Sequence, residues 1–150
     1  MEKRRIFLDT SSHLWANLLV GKDEDNGYYE RDSAGKERFT NSWKFGLDNA
    51  LRNIAKILTN LEVSPQDLIC VLDGANGKSY RARMAQDYKD GRDKTEGMLI
   101  EYAELQKQFI RTMRSYGATV VSHHEWEADD VLVALARACK PDVSVIVTND

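Results

Sequence analysis

The chain has 150 residues, 42% of them hydrophobic and 30% charged, which suits one globular domain with a core of its own. Its apolar runs are too short for a membrane span or a signal peptide, which indicates a cytoplasmic protein with no membrane partner. The net charge of −3 would exclude a nucleic-acid partner only if the charges were spread evenly.

The N-terminal segments predict a strand, a helix and a loop. An apolar run at 4–8 predicts the first strand, and a short helix follows at about 12–19, with Ser11 or Ser12 as its cap. Residues 21–39 are polar and rich in glycine, which is typical of a mobile loop. The chain therefore begins with a strand–helix pair and a long connection.

The central segments continue the alternation of helix and strand. Apolar residues at spacings of three and four predict a helix at about 41–60, with a stripe made of Trp43, Leu47, Leu51, Ile54, Leu58 and Leu61. Pro65 breaks the chain before a second strand at 68–72. A basic segment at about 75–97 follows this strand.

The last third of the chain predicts two more helices and two more strands. The first of these helices ends at Gly117, a plausible C′ residue, and has an apolar face made of Leu99, Tyr102, Leu105, Phe109, Met113 and Tyr116. Strands at 118–122 and 143–148 enclose a helix at 127–139. The alternation predicts a three-layer α/β/α fold with a mainly parallel, twisted sheet, truncated after its fourth strand. We expect a single domain over residues 1–150.

Six acidic residues are expected to meet at one edge of this sheet. Apolar runs end at Asp9, Asp73 and Asp150, and the last helix opens with Glu127, Asp129 and Asp130. Parallel strands present their carboxyl ends at the same edge, where ligands bind in open α/β sheets. Each acid alone has an ordinary explanation as a helix cap or the start of a turn. Together they predict a Mg²⁺ or Mn²⁺ site, because carboxylates so close repel one another unless cations join them.

The basic segment concentrates positive charge on an otherwise acidic chain. Between residues 78 and 94 the net charge is +3, which leaves −6 for the other residues. The basic side chains are Lys78, Arg81, Arg83, Lys89, Arg92 and Lys94. A basic strip on an acidic body is typical of a protein that binds a polyanion beside a metal site.

Two other motifs do not indicate a function. The GKS tripeptide at 77–79 lacks the earlier glycine of a P-loop, because Leu72 occupies that position. His123 and His124 are adjacent at a strand end and point to opposite faces, so we do not expect a zinc site.

Several short motifs resemble a known nuclease family. EADDVLVALA at 127–136 is similar to the helix start of the 5′→3′ exonucleases and flap endonucleases, which include phage 5′-nucleases and the 5′-nuclease domain of bacterial DNA polymerase I. DYKDGRD at 87–93 resembles the Y-K-x-x-R element of that family. Further matches are LDG at 72–74, GKSYR at 77–81 and FTNSWKFG at 39–46.

The resemblance implies a PIN-like, or resolvase-like, fold and assigns roles by position. The metal-binding carboxylates would be Asp9, Asp73, Glu127, Asp129, Asp130 and Asp150. An arch over the active site, which binds the scissile phosphate and the single strand, would include Tyr88, Lys89 and Arg92. Lys78 and Arg81 match basic positions that enter the arch. Arg83 and Lys94 are DNA-binding candidates as members of the basic segment, not through the resemblance. The candidate catalytic residues are Asp9, Asp73, Lys89 and Arg92.

The chain departs from the family pattern at three places. Thr10 and Glu125 stand where the family commonly has glycine. The chain stops at Asp150, whereas the family continues with another aspartate and a helix–hairpin–helix-like region that binds duplex DNA. The sequence therefore resembles the catalytic half of such a nuclease, and a separate chain is a candidate source of the other half.

The expected activity is hydrolysis of DNA at 5′ flaps or single-stranded 5′ ends, with two ions of Mg²⁺ or Mn²⁺. One ion would activate the attacking water, and the other would neutralise charge on the leaving oxygen. Two alternatives stay open. The first is an accessory fragment that binds metal and nucleic acid without turnover. The second is a small PIN-like ribonuclease, although such enzymes usually lack the Y-K-x-x-R arch.

Overall fold

The computed structural model describes residues 4–20, 29–31, 33–35, 37–39, 42–77, 96–139 and 144–149. The strands are β1 (Arg5–Asp9), β2 (Tyr29–Arg31), β3 (Glu37–Phe39), β4 (Leu68–Leu72), β5 (Thr119–Ser122) and β6 (Ser144–Val147). The α-helices are α1 (Thr10–Val20), α2 (Ser42–Asn60), α3 (Glu96–Ser115) and α4 (Ala128–Ala138), and a 3₁₀ turn covers Pro65–Asp67.

Four strands form the parallel sheet that the sequence predicts. Their order is β5–β4–β1–β6, and every neighbouring pair runs in the same direction. Leu8 of β1 lies opposite Cys70 of β4 and Val147 of β6. The end of β1 therefore lies between the ends of β4 and β6, so the residues that follow these strands share one edge of the sheet.

Helices cover both faces of the sheet, as buried parallel strands require. Ile6 and Leu8 of β1 pack in a core cluster with α1, α2 and α3. Phe7, between them, packs in a second cluster with Val131 of α4. Cys70 lies in the first cluster, and burial raises the pKa of its thiol to about 12, so the thiol stays protonated at neutral pH. The three-layer α/β/α prediction is confirmed.

The predicted apolar faces of the two long helices are mostly correct. The stripe of α2 packs on the first core cluster, together with the middle residues of the α3 stripe. Leu99 and Tyr116 were wrongly assigned to that face, since they are 48% and 62% exposed. Spacings of three and four drift around a helix of 3.6 residues per turn, and Tyr116 lies beyond the end of α3. Among the described residues, none of the helices is long and apolar enough to cross a membrane.

Gly117 ends α3 in the manner that the sequence predicts. Its φ of +91° lies in the left-handed region, which glycine adopts without a steric penalty. The N–H of Gly117 donates to the carbonyl of Arg114, and the N–H of Ala118 donates to that of Met113. This pair of bonds is a Schellman motif, and it turns the chain directly into β5.

Two predictions for the N-terminal segments are wrong. The helix after β1 begins at Thr10, and its cap is Asp9 rather than Ser11 or Ser12, because a carboxylate oxygen of Asp9 accepts the N–H of Ser12. The segment 21–39, predicted as a loop, contains the antiparallel pair β2–β3. A glycine-rich, polar composition predicts turns well but does not exclude a short hairpin between them.

A buried polar network joins α1 to α2. His13, which is 3% exposed, contacts the carbonyl oxygen of Ala50 through Nε2 at 3.0 Å. Asn17 donates to the carbonyl of His13 at 2.7 Å and accepts from Asn53 at 2.7 Å. Burial lowers the pKa of His13, and the contact with Ala50 only partly opposes this. The imidazole is therefore neutral in the folded protein at neutral pH.

Replacing His13 with glutamine is expected to remove a pH dependence of stability. Below the ordinary histidine pKa of 6.5, the unfolded chain takes up a proton that the folded chain excludes, so stability falls as the pH decreases. This loss amounts to at most about 1.4 kcal/mol per pH unit. Urea unfolding at pH 7.5 and pH 5.5 should show a smaller decrease for His13→Gln than for the wild type. Equal decreases would show that His13 does not carry the effect.

Candidate functional site

Asp9 is held rigidly at the end of β1. Its side chain is 3% exposed, and both carboxylate oxygens have partners. Oδ1 accepts the backbone N–H of Ser12 at 3.1 Å, and Oδ2 accepts the hydroxyl of Thr148 at 3.1 Å. Asn149 in turn donates its N–H to the Ser12 hydroxyl at 3.0 Å. The residues that follow β6 are thus joined to the start of α1 through Asp9 and Ser12.

The pKa of Asp9 shows which other acids lie near it. Burial is the main cause that raises this pKa, and the hydrogen bonds from Ser12 and Thr148 oppose it. The negative charges of Asp129 and Asp73 raise it further. The charges of two acids from distant parts of the sequence therefore reach Asp9 at the carboxyl edge of the sheet.

Asp73 follows β4 and is also bound to a helix start. One of its carboxylate oxygens accepts the N–H of Ala128, the first residue of α4, at 2.8 Å. Glu127, at the N-cap position of α4, makes no side-chain capping bond. Asp73 takes that role instead, although 55 residues separate it from Ala128. The bond fixes Asp73 beside the EADD motif.

Two loops pack closely next to Asp73 and leave no room for a side chain at Gly74 or Gly77. Gly74 donates its N–H to the carbonyl of Trp126, and Asn76 donates to that of His124, both at 2.8 Å. A Cβ on Gly74 would collide with the backbone carbonyl of His123. A Cβ on Gly77 would lie 2.7 Å from the backbone N of Glu127. Glycine is therefore required where the loop after β4 crosses the segment before α4.

The three acids at the start of α4 lie at different depths. Glu127 is 5% exposed, Asp130 is half-buried and Asp129 is exposed. Within the described ranges, no three His, Cys, Asp or Glu side chains are close enough to form a metal-binding group. Asp9, Asp73 and Asp129 lie at one edge of the sheet, but the described acids do not enclose a metal position.

The described oxygen donors nevertheless suit a hard divalent cation. Mg²⁺ keeps several waters and is commonly held by one or two carboxylates together with substrate phosphates. The charges of Asp73 and Asp129 both act on the Asp9 carboxylate, and such repulsion is what a cation relieves. An open set of acids is compatible with this mode of binding.

Tyr102 is a site residue that the sequence analysis missed, because it was interpreted as part of an apolar stripe. Its hydroxyl shares a hydrogen bond with the side chain of Ser11, and its ring stacks on Trp15 with centroids 4.2 Å apart. Burial raises the pKa of Tyr102 to about 12, and the charges of Asp73 and Asp9 add to this. The available signal was the polar tip that distinguishes tyrosine from the other members of the stripe.

Several predicted site residues lie outside the described part of the chain. They are Asp150 among the acids, and Lys78, Arg81, Arg83, Tyr88, Lys89, Arg92 and Lys94 of the basic segment.

Ser12 and Thr148 were also missed, because a hydroxyl or backbone group that orients an acid leaves no pattern in the sequence. The ring of His123 packs at a tilt of 31° against that of Trp126, with centroids 4.5 Å apart, and His124 contacts Asn76, so both histidines have structural partners.

Comparison with known proteins adds one finding. The family model described as "5′-3′ exonuclease, N-terminal resolvase-like domain" matches residues 28–150. This range includes Asp73, the basic segment and the EADD motif. No curated protein matches the chain.

Proposed function

Because this chain belongs to the 5′–3′ exonuclease N-terminal resolvase-like domain family, we propose that it hydrolyses DNA phosphodiester bonds at 5′ flaps or single-stranded 5′ ends with divalent cations. One observation carries the chemical part of the proposal. The charges of Asp73 and Asp129 act on the buried carboxylate of Asp9, although these residues come from three separate segments. Acids gathered in this way are suited to hold Mg²⁺ or Mn²⁺ beside a phosphate.

The residues around the site have distinct roles in this proposal. Divalent ions, when bound, would supply charge neutralisation and make water a better nucleophile. Asp9 and Asp73 would hold them, and the proposed further ligands are Glu127, Asp129, Asp130 and Asp150. Hydrogen bonds from Ser12, Thr148 and Ala128 orient the two principal carboxylates before a substrate binds.

The basic segment would hold the nucleic acid over these acids. Lys89 is suited to a point contact with a phosphate oxygen, whereas Arg92 can bind a phosphate with two parallel hydrogen bonds. Tyr88 would stack on a base, which is a contact that tolerates any sequence. These assignments rest on the resemblance of DYKDGRD to the family element.

A second candidate function is binding of nucleic acid without turnover. The observation that favours it is the open spacing of the acids, since no three of the described His, Cys, Asp or Glu side chains form a metal-binding group. In this case the chain would act as one half of a site that a separate chain completes.

Cleavage of a labelled 5′-flap DNA is the experiment that tests the proposal. We expect product with Mg²⁺ or Mn²⁺, and none after addition of a chelator. A flap of the same sequence in RNA, together with a blunt DNA duplex, serves as the matched substrate control. Cleavage that survives chelation would exclude the metal mechanism. DNA binding without any cleavage would favour the second candidate, and a preference for RNA would favour a ribonuclease.

A further inference from the structure

An open groove of about 570 Å³ runs along α3 beside the end of β4. Leu72 and Ile110 form part of its apolar floor, and three cationic side chains line it: Lys107, Arg111 and Arg114. Their spacing of four and then three residues places them on the same side of the helix. All three are exposed, so their charged ends are available to a ligand.

The two arginines carry most of the available positive charge in this groove. Lys107 lies 3.8 Å from Oε2 of Glu104, and the other carboxylate oxygen, Oε1, accepts a hydrogen bond from Gln108. Among the residues that the structure describes, no carboxylate forms an ion pair with Arg111 or Arg114. The groove is therefore cationic, and Glu104 offsets only part of its charge.

A purely structural explanation accounts for only part of this arrangement. Arg114 lies in the last turn of α3, where a positive charge interacts favourably with the helix dipole. Long basic side chains also cover apolar surface with their stems. Neither effect explains why three cations line one side of a helix along an open groove.

The groove begins at the acidic edge of the sheet. Leu72 is the last residue of β4 and immediately precedes Asp73. On α3, Tyr102 is within reach of the charges of Asp73 and Asp9, and the helix continues from there along the groove. A rise of 1.5 Å per residue places Lys107 about 8 Å and Arg114 about 18 Å beyond Tyr102 along the helix axis. From Lys107 to Arg114 the rise is about 10 Å, the axial length of about three phosphates of one DNA strand.

We propose that the groove between α3 and the end of β4 binds backbone phosphates of the DNA strand that passes Asp73, through Arg111 and Arg114 with a smaller contribution from Lys107. This inference rests on the proposed nuclease function and adds a binding surface outside the basic segment 78–94. The ligand is a chain of phosphodiesters, because the cations follow one another along a line rather than converging on one point. Contacts of this kind position a strand without reading its sequence.

The salt dependence of DNA binding tests this proposal without requiring cleavage. A fluorescein-labelled 5′-flap DNA is titrated with the full chain in the presence of a chelator, at salt concentrations from 50 to about 300 mM. The test variant is Arg111→Gln with Arg114→Gln. Arg111→Lys with Arg114→Lys keeps the charge, and Lys56→Gln with Arg137→Gln removes two exposed charges on α2 and α4.

Loss of two phosphate contacts should make the slope of log affinity against log salt shallower by about 1.4 to 1.8. If the plots for the wild type and the glutamine variant meet at 1 M salt, the variant should bind DNA roughly 25- to 60-fold more weakly at 0.1 M salt. The lysine variant should keep the wild-type slope, and so should the α2 and α4 control. In steady-state cleavage, the glutamine variant should raise KM with little change in kcat, because the contacts are the same in the ground and transition states.

Each other outcome has a definite meaning. An unchanged slope in the glutamine variant, or an equal change in the α2 and α4 control, overturns the groove proposal and leaves the nuclease proposal intact. In one outcome, inorganic phosphate at constant ionic strength reduces DNA binding by the wild type but not by the glutamine variant, and the salt slopes of the two proteins are equal. The groove is then a site for free anions, and the proposal fails. Binding that depends on the arginines without any cleavage supports the groove and overturns the nuclease proposal. A wild-type chain that does not bind DNA overturns both.

Discussion

Asp9→Asn is expected to abolish metal-dependent cleavage and to leave the protein at least as stable as the wild type. Asparagine can keep both native bonds, since its carbonyl oxygen accepts from Ser12 and its amide donates to the Thr148 hydroxyl. It cannot supply the negative oxygen that a divalent cation requires. Removing a group that merely orients a metal ligand lowers metal affinity or activity by about 10- to 100-fold. Removing a ligand itself should therefore lower the cleavage rate by at least about 100-fold.

The stability of this variant follows from the raised pKa of Asp9. Burial, together with the charges of Asp129 and Asp73, disfavours the ionised form in the folded protein. Below the ordinary value of 3.8 the carboxyl is neutral in both states and carries no penalty. As the pH rises above this value, the unfolded chain loses its proton before the folded chain does, so the folded state becomes progressively less stable. The stability advantage of Asp9→Asn should therefore be largest at pH 7 and shrink towards pH 4.

Two further variants sharpen the comparison with Asp9→Asn. Asp73→Asn should lose cleavage as well, but without a gain in stability, because Asp73 is exposed and its carboxylate caps the start of α4. Asp48→Asn removes an exposed acid that pairs with Arg52 on α2 and should leave cleavage unchanged. Activity assays with Mg²⁺ and urea unfolding without added metal measure the two effects separately. Full activity in Asp9→Asn would show that Asp9 is not a metal ligand.

Gly74→Ala is expected to be the most destabilising single methyl addition at the site. The new Cβ would collide with the carbonyl of His123, which is part of the backbone and cannot rotate away. Separation of the two loops would also strain the hydrogen bond from Gly74 to Trp126. Overpacking of this severity costs about 3 kcal/mol, which corresponds to a decrease in Tm of about 6 to 12 °C.

The same substitution should lower activity in the molecules that remain folded. Asp73 immediately precedes Gly74 and is bound to Ala128, so a shift of either loop moves this carboxylate relative to Asp9. A displacement of about 1 Å at a catalytic centre can reduce the rate 100-fold. Cleavage is measured well below the lowered Tm, where thermal unfolding does not contribute.

Gly35→Ala is the matched control for Gly74→Ala. Gly35 has a φ of +76°, but no described atom lies within 4 Å of its added Cβ. Alanine at this position strains the backbone but collides with nothing described. It should lower the free energy of unfolding by only about 1 kcal/mol. If the two alanine variants were equally stable, the close approach of the loops would not be the reason for the glycine at position 74.

The sheet and its layers were predictable because their signals are local. Apolar runs such as ICVL before Asp73 identify parallel strands, and strands of that kind must place Asp9 and Asp73 at one edge. The exact partners of the acids were not predictable. Nothing in the sequence pairs Asp73 with the N–H of Ala128 or Asp9 with the hydroxyl of Thr148, which is 139 residues away. Such contacts arise only after the layers have packed.

Tyr102 shows a second limit of sequence patterns. Its position at helical spacing correctly indicated a residue that faces the protein interior, and it is half-buried against Trp15. The pattern could not show that Tyr102 lies near the acidic edge of the sheet. That position depends on the direction of α3 relative to the sheet, which is a property of the fold. The short pair β2–β3 was missed for a similar reason, since three-residue strands are too short to show a period.

Asp9 caps α1 and Asp73 caps α4 through hydrogen bonds that need no metal ion. Each carboxylate interacts favourably with the positive end of a helix dipole, so the backbone holds it in position before any ion binds. The domain should therefore differ from zinc fingers, which unfold when their metal is removed. Chelation should leave its circular dichroism spectrum intact, and reloading with cations should restore function at the speed of diffusion rather than at the speed of refolding.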